Sequence, residues 1–302
     1  MKQDVTILVN SCDLYEDAWD PFFRLLKIQW PDCAYPVILN TETKEYHCDF
    51  MDVRTVKSGK KRSWSARLKY ALDQIETRFV LFSLEDFFLT KPVNTPLLET
   101  VLEQLRANPK LGGVTFRPLE VNDSLATTDD PAQAFKVIKS KQPYRIKVLV
   151  SLYDTNYLKS LILGDENPWV FEREFSIRSL YAGRTLLTQD YACSVPIFSY
   201  AINPKLNLGI TQRKWLNGNK AFFESHGIVG VNYDHLGIME ESVSYKSLLA
   251  KNQEENRTAP DEQATHKPTG LKERVYGLYK RIGIKEFRKR QSYRRYYKKH
   301  RV

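Results

Sequence analysis

The chain has 302 residues, 42% hydrophobic and 27% charged, which suits a soluble globular protein with one large or two smaller α/β domains. No run of about 18 apolar residues occurs and the N-terminus lacks the regions of a secretory signal, so a spanning helix is not expected and a cytoplasmic location follows. The net charge of +10 is local: from Lys272 to Val302, thirteen Lys and Arg face only Glu273 and Glu286, a net +11, which leaves the first 271 residues at −1.

Val5 to Asn10 is a short apolar, β-branched run that ends in a polar turn, the pattern of a buried strand. From Ala18 to Trp30 the bulky residues Trp19, Phe22, Phe23, Leu26 and Trp30 recur at helical steps, and Pro31 ends the helix. Tyr35 to Asn40 reads as a second strand and Asp49 to Val53 as a short third. Ser63 begins a helix with Trp64, Leu68, Ala71, Leu72 and Ile75 on one stripe. Phe79 to Leu84 is apolar on both faces, as at a sheet centre. Pro96 opens another helix, and Gly112 to Phe116 is a further strand. Alternation this regular implies a mostly parallel sheet flanked by helices, with ligands at the carboxyl ends of its strands. Pro118 to Pro131 is polar and reads as a mobile loop. Beyond it, Tyr144 to Tyr153 looks like strand, Asn156 to Leu163 and Trp169 to Tyr181 like helices, and Ala192 to Ile202 like one or two short strands. Lys251 to Gly270 reads as a linker. The expected organisation is a catalytic domain over residues 1–250, divided near residue 120 into a nucleotide-sugar half and an acceptor half, a linker over 251–270 and a basic helical tail over 271–302.

Glu85 and Asp86 stand side by side where the strand Phe79–Leu84 ends. Two carboxylates there are costly unless a charge compensates them, and a hard divalent cation shared with substrate phosphates would do so. The competing reading is a solvated strand end or a helix cap. The four cysteines form no CxxC pair, no histidine pattern completes a zinc site, and they read as reduced thiols.

The stretch from Ser65 to Asp86 resembles the central signature of GT-A-fold glycosyltransferases, in which an Ala-Arg-Asn helix, an apolar strand and a DxD motif follow one another. Arg67 matches the helix arginine, Ser83-Leu84-Glu85 occupies the DxD position, and Leu68 replaces the usual Asn. The opening turn Asn10-Ser11-Cys12-Asp13 resembles the family's nucleotide-contacting first turn. The whole chain is also similar to glycosyltransferases of bacterial capsule and O-antigen clusters. They share that turn, Trp30-Pro31-Asp32-Cys33, Leu39-Asn40-Thr41-Glu42, Glu85-Asp86-Phe87-Phe88 and Pro168-Trp169-Val170-Phe171-Glu172.

The resemblance implies a GT-A-like (Rossmann-like) α/β fold and transfer of a sugar from a nucleotide-sugar donor to a saccharide on a lipid carrier, with a UDP-linked donor and inversion as preferences that no sequence feature fixes. It places Asn10, Asp13, Arg67 and Ser83 at the nucleotide and Glu85 and Asp86 at a divalent cation, Mn or Mg, although Ser83 stands where the first DxD acid belongs. Arg67, Lys60, Lys61 and Arg62 are candidate cations for the leaving diphosphate. Glu172, flanked by apolar Trp169 and Phe171, is the candidate base for the acceptor hydroxyl. Trp169 is either an acceptor platform or a core residue. The basic tail, with Leu271, Val275, Leu278 and Ile282 at helical steps, suits an anionic membrane surface on the inner face of the cell membrane. The alternatives are a nucleotidyltransferase, against which stands the lack of a Gly-rich phosphate loop, and a non-catalytic nucleic-acid-binding protein, which is not expected because the body carries −1.

Overall fold

The structure is a computed structural model that describes residues 4–116, 135–138, 145–189, 196–200, 207–239 and 292–299. The chain divides into two compact units, Met1–Glu240 and Glu241–Val302. In the second, residues 292–299 are helical. The loop expected at Pro118–Pro131, the linker at Lys251–Gly270 and the tail before residue 292 lie outside the described residues. Among the described residues no helix is long and apolar enough to cross a membrane.

The described residues of the first unit form an eight-stranded sheet in the order β3-β2-β1-β4-β7-β5-β8-β6. Its strands are β1 (Val5–Asn10), β2 (Val37–Thr41), β3 (Val53–Lys57), β4 (Phe79–Ser83), β5 (Leu111–Thr115), β6 (Phe135–Val137), β7 (Ser151–Asp154) and β8 (Thr185–Gln189). β1 pairs in parallel with β2 and β4, β2 with β3, and β5 with β8. β7 runs antiparallel to both β4 and β5, and β6 antiparallel to β8. The expected α/β class, a mostly parallel sheet flanked by helices, is the one the protein has. Every residue of β1, β2 and β4 is buried, as parallel strands covered on both faces require.

The helices are α1 (Trp19–Gln29), α2 (Trp64–Leu72), α3 (Thr95–Ala107), α4 (Thr155–Leu161), α5 (Pro168–Arg178) and α6 (Gly218–Ser225). A 3-10 turn, Asp13–Ala18, leads into α1. Four helices begin on side-chain caps. Ser63 accepts from Ala66 N–H at 3.2 Å, Asn94 from Leu97 at 3.1 Å, Asp154 from Tyr157 at 2.9 Å and Asn167 from Val170 at 2.9 Å. Pro96 and Pro168 sit in first turns, where a missing N–H costs nothing.

Two expected strands are displaced. The third strand is Val53–Lys57 rather than Asp49–Val53: it is a sheet edge, and its polar alternation hides it from an apolar-run search. Of Tyr144–Tyr153, only the end pairs in β7. Ile146 and Val148 spend their N–H groups on Ser176 Oγ (3.0 Å) and Glu172 Oε1 (2.6 Å) of α5 instead of a ladder.

β5 and β7 approach so closely at Gly113 that a Cβ there would lie 2.3 Å from a Tyr153 ring carbon and 2.7 Å from the Leu152 carbonyl oxygen. Gly113→Ala is therefore expected to destabilise the protein by about 2 kcal/mol, read as a lower midpoint in urea unfolding.

Candidate active site

The parallel pairing brings the carboxyl ends of β1, β2 and β4 to one edge. Asn10 and Asn40 stand in register there, both buried, and Asn40 Nδ2 donates to Asn10 Oδ1 at 2.7 Å. Asn40 Oδ1 has no hydrogen-bond partner among the described residues.

Asp13 is buried just beyond β1 and clamps the turn that follows β2. Its carboxylate accepts from the N–H groups of Glu42 (2.9 Å), Thr43 (2.9 and 3.1 Å) and Lys44 (3.2 Å), and from the Thr43 hydroxyl (2.5 Å). These bonds hold its carboxyl below the ordinary aspartate value although burial acts the other way. Arg67, from the first turn of α2, pairs with Glu42 Oε1 at 2.9 Å and donates to the Arg62 carbonyl at 3.2 Å. Arg62 in turn donates to the Ser58 carbonyl and lies over the Tyr70 ring, 4.5 Å from its centroid. The sequence-derived nucleotide residues Asn10, Asp13 and Arg67 thus stand at one strand edge, and they bind one another's loops.

Ser83 ends β4 and its hydroxyl donates to the Leu84 carbonyl at 3.2 Å. Glu85, 6% exposed, follows Leu84, and the Ser11 hydroxyl is among the groups that favour its charged form. Ser11 is itself fixed by the Trp19 indole, whose Nε1–H donates to Ser11 Oγ at 2.7 Å. Asp86 is half-buried, and the Ile210 backbone favours its charged form. Burial, and then the neighbouring Asp86 charge, push the Glu85 carboxyl well above the usual range. Burial pushes Asp86 up to about 6, against the pull of its backbone donors. Burial, with Glu85 and Asp86, raises the phenol of Tyr15 to about 12, and burial, with Glu85 and Glu42, raises the thiol of Cys12 to about 11. Among the described residues neither Glu85 nor Asp86 forms an ion pair. Two adjacent carboxylates, one buried and one half-buried, with no ion-pair partner among the described residues and with hard oxygen donors, fit a divalent cation.

Behind the acids a short hairpin that the sequence reading missed is anchored. Its strands are β9 (Ile210–Thr211) and β10 (Lys214–Trp215), paired antiparallel. Trp215 is fully buried and stacks on Phe88 with centroids 6.1 Å apart. Asn219, at the start of α6, bonds both the N–H and the carbonyl of Gly209, at 2.9 and 2.7 Å. The turn, Gln212-Arg213, carries none of the Asn-Gly or Asp-Gly signals that reveal hairpins, which is why it was not read.

Glu172 stands on the β7 side of the same edge. β7 is antiparallel to β4, with Phe82 opposite Ser151, so the segment entering β7 lies beside the carboxyl end of β4. Glu172 Oε1 accepts from Val148 N–H in that segment at 2.6 Å. Burial raises its carboxyl, opposed by the Val148 donor and the Lys147 charge. Phe171 and Phe175 of α5, Leu68 of α2, Phe82 of β4 and Val148 line one small apolar cavity. Trp169 is not core: it is 57% exposed. The start of α2 is fastened to the residues before α5, with Ser63 donating to Asp165 at 2.8 Å and Ser65 to the Gly164 carbonyl at 2.6 Å. Glu166 pairs with buried Arg178 at 2.6 Å.

A second acidic group lies on the 3-10 turn, where Glu16, Asp17 and His235 bring ligand atoms within 4.8 Å of one another. Glu16 already pairs with Lys44, and Asp17 Oδ2 with His235 Nδ1 at 2.9 Å.

No protein-family model and no curated protein matches the chain. Among solved structures, similarity extends to Staphylococcus aureus TarS, 13% identical over 90% of this chain and 46% of that one, with a TM-score of 0.46. The mannosyltransferase PcManGT from Pyrobaculum calidifontis, solved with GDP-Man and Mn2+, is 14% identical over 63% of this chain and 55% of its own, with a TM-score of 0.41. A cytidylyltransferase from Leptospira borgpetersenii is 9% identical over 87% of this chain and 100% of its own, with a TM-score of 0.40. The chain spans about half the length of the two transferases of larger size.

Proposed function

We propose that the chain is a glycosyltransferase that moves a sugar from a nucleotide-sugar donor, UDP-linked by preference, to a hydroxyl of a saccharide acceptor. The observation that carries this reading is the adjacent acids Glu85, buried, and Asp86, half-buried, which form no ion pair among the described residues and follow the carboxyl end of β4 beside β1. Ligands of open α/β sheets bind in that crevice. Asn10 and Ser83 face it at the strand ends, and Asp13 and Arg67 set its wall by holding the turn after β2. Glu85 and Asp86 would hold a divalent cation, Mn or Mg, whose charge offsets that of the diphosphate.

Glu172 takes the role of base. The acceptor oxygen forms a bond to the anomeric carbon as the bond from that carbon to the diphosphate oxygen breaks. The acceptor proton passes to the Glu172 carboxylate, and the nucleoside diphosphate leaves with the electron pair. A carboxyl raised by burial is suited to receive that proton. Exposed Trp169, three residues earlier on α5, offers a flat apolar face to a sugar ring. A lipid-linked acceptor and an anionic membrane as the site of action are the reading of the basic segment Lys272–Val302.

The test is a screen of UDP, GDP, CMP and dTDP sugars with Mn2+ or Mg2+, read by thermal shift and by product. Release of nucleoside diphosphate is the expected result. Release of pyrophosphate from a nucleoside triphosphate and a sugar phosphate would assign nucleotidyl transfer, and no response to any nucleotide would remove the reading.

A further inference from the structure

Glu172 is one of three polar side chains on α5 that meet the segment entering β7. Glu172, Ser176 and the capping Ser179 follow one another at steps of four and three residues, so the helix sets them in one line. Val148, Ile146 and Arg145 lie against them in reverse order. Val148 N–H donates to Glu172 Oε1 at 2.6 Å. Ile146 N–H donates to Ser176 Oγ at 3.0 Å, and the same hydroxyl donates to the Ile146 carbonyl at 3.3 Å. Arg145 Nη1 donates to Ser179 Oγ at 2.9 Å.

Ser176 thus does for Ile146 what the opposite residue of an antiparallel strand would do: it takes the N–H and gives to the carbonyl. It is 7% exposed, so the bond is made away from water. Packing alone does not fix this segment, because Ile146, Lys147 and Val148 border the small apolar cavity that Phe82, Phe171 and Phe175 also line. Only one Glu172 oxygen is held. Among the described residues Oε2 accepts no hydrogen bond, and the side chain is half-buried. The N–H that holds Oε1 belongs to Val148, two residues from the one that Ser176 fastens.

We propose that Ser176 is a positioning residue for Glu172: it fixes residues 146–148 against α5, so that the Val148 N–H anchors one carboxylate oxygen and leaves the other for the acceptor. This rests on the role given to Glu172 under Proposed function. Reaction rates respond steeply to such placement, since a shift of about 1 Å costs on the order of 100-fold.

The experiment uses the full chain. Ser176→Ala removes both bonds to Ile146. Ser176→Cys keeps a weak donor and acceptor in nearly the same volume, and carries the test if the alanine variant does not fold. Ser179→Ala breaks the contact one turn further from Glu172. Turnover is read as nucleotide released from the UDP, GDP, CMP and dTDP sugars of the screen, binding by calorimetry with UDP and Mn2+, and the seam by hydrogen exchange at the Val148 amide. Ser176→Ala is expected to lower kcat about 10- to 100-fold, to leave UDP affinity within about twofold and to speed Val148 exchange about 10-fold or more, with Ser176→Cys between it and the wild type. Ser179→Ala should lower the melting temperature and leave kcat within about threefold. In a Glu172→Gln background, Ser176→Ala should cost less than about twofold more, because no carboxylate remains to be placed. A merely structural role would lower the melting temperature in the Ser176 and Ser179 variants alike, with kcat unchanged or with losses that multiply those of Glu172→Gln, and either result overturns this inference alone. Wild-type turnover by Glu172→Gln, or no nucleotide release by the wild type, overturns the site reading beneath it.

Discussion

Replacing Asp86 by Asn or Glu85 by Gln is expected to raise the stability of the metal-free protein near neutral pH and to abolish turnover. Burial pushes Asp86 up to about 6 in the folded chain against an ordinary value of 3.8, and Glu85 is raised in the same direction. A carboxyl raised on folding contributes stability that is fully present below its unfolded pKa and is lost as pH rises through the folded one. Between about pH 4 and pH 6 the wild type therefore loses stability, on the order of 3 kcal/mol from Asp86 alone. A neutral amide keeps the shape and escapes that loss, so the variant should overtake the wild type in thermal melts at about pH 8 and not at about pH 4. Mn2+ should close the gap by stabilising the wild type and leave the variant unmoved. On the proposed reading, turnover should fall on the order of 100-fold or more, since a cation that offsets the diphosphate charge would lose a ligand. Variants that melt below the wild type at both pH values would mean that the acids are structural.

Glu172→Gln should separate chemistry from binding. The amide oxygen can still accept the Val148 N–H, so the seam between α5 and the entry to β7 stays closed. It cannot take a proton. We expect kcat to fall about 10²- to 10⁴-fold while donor affinity stays within about twofold. In the wild type, kcat/KM should rise with pH through a value above that of an ordinary glutamate, because burial is the dominant influence on this carboxyl. That limb should vanish in the variant, and wild-type turnover by Glu172→Gln would remove the residue as base.

The sheet centre was legible in the chain because its strands carry no polar face. Val5–Asn10 and Phe79–Ser83 are buried at every position, so a bare apolar run locates them. The edge strand Val53–Lys57 and the short β8 offer weaker patterns and were displaced or missed. The run before β7 misled for a different reason: Ile146 and Val148 are apolar, but α5 supplies their backbone partners. At the site, the adjacent Glu85 and Asp86 could be seen because two acids at a strand end are rare and costly. What lies around them could not. Glu42 on Arg67 is a partner from a distant element, as are Ser11 and Ile210, which influence Glu85 and Asp86, and nothing local announces them. The exposure of Trp169 likewise depends on what packs against α5, so the sequence left platform and core both open.

The reversed strand β7 has a consequence for anyone who would recombine this protein. It follows both β4 and β5 in the chain, yet it is laid between them. The early and late segments are thus stitched together through the middle of the sheet, not joined end to end like beads. A chimera spliced near residue 120 would have to supply a foreign β7 that fits Gly113 on one side and Phe79–Phe82 on the other. Without that fit, β4 and β5 would face each other as two raw edges, open to pairing with other chains. Exchanges confined to loops or to the exposed face of α5 should therefore fold, and wholesale transplantation of the second half should not.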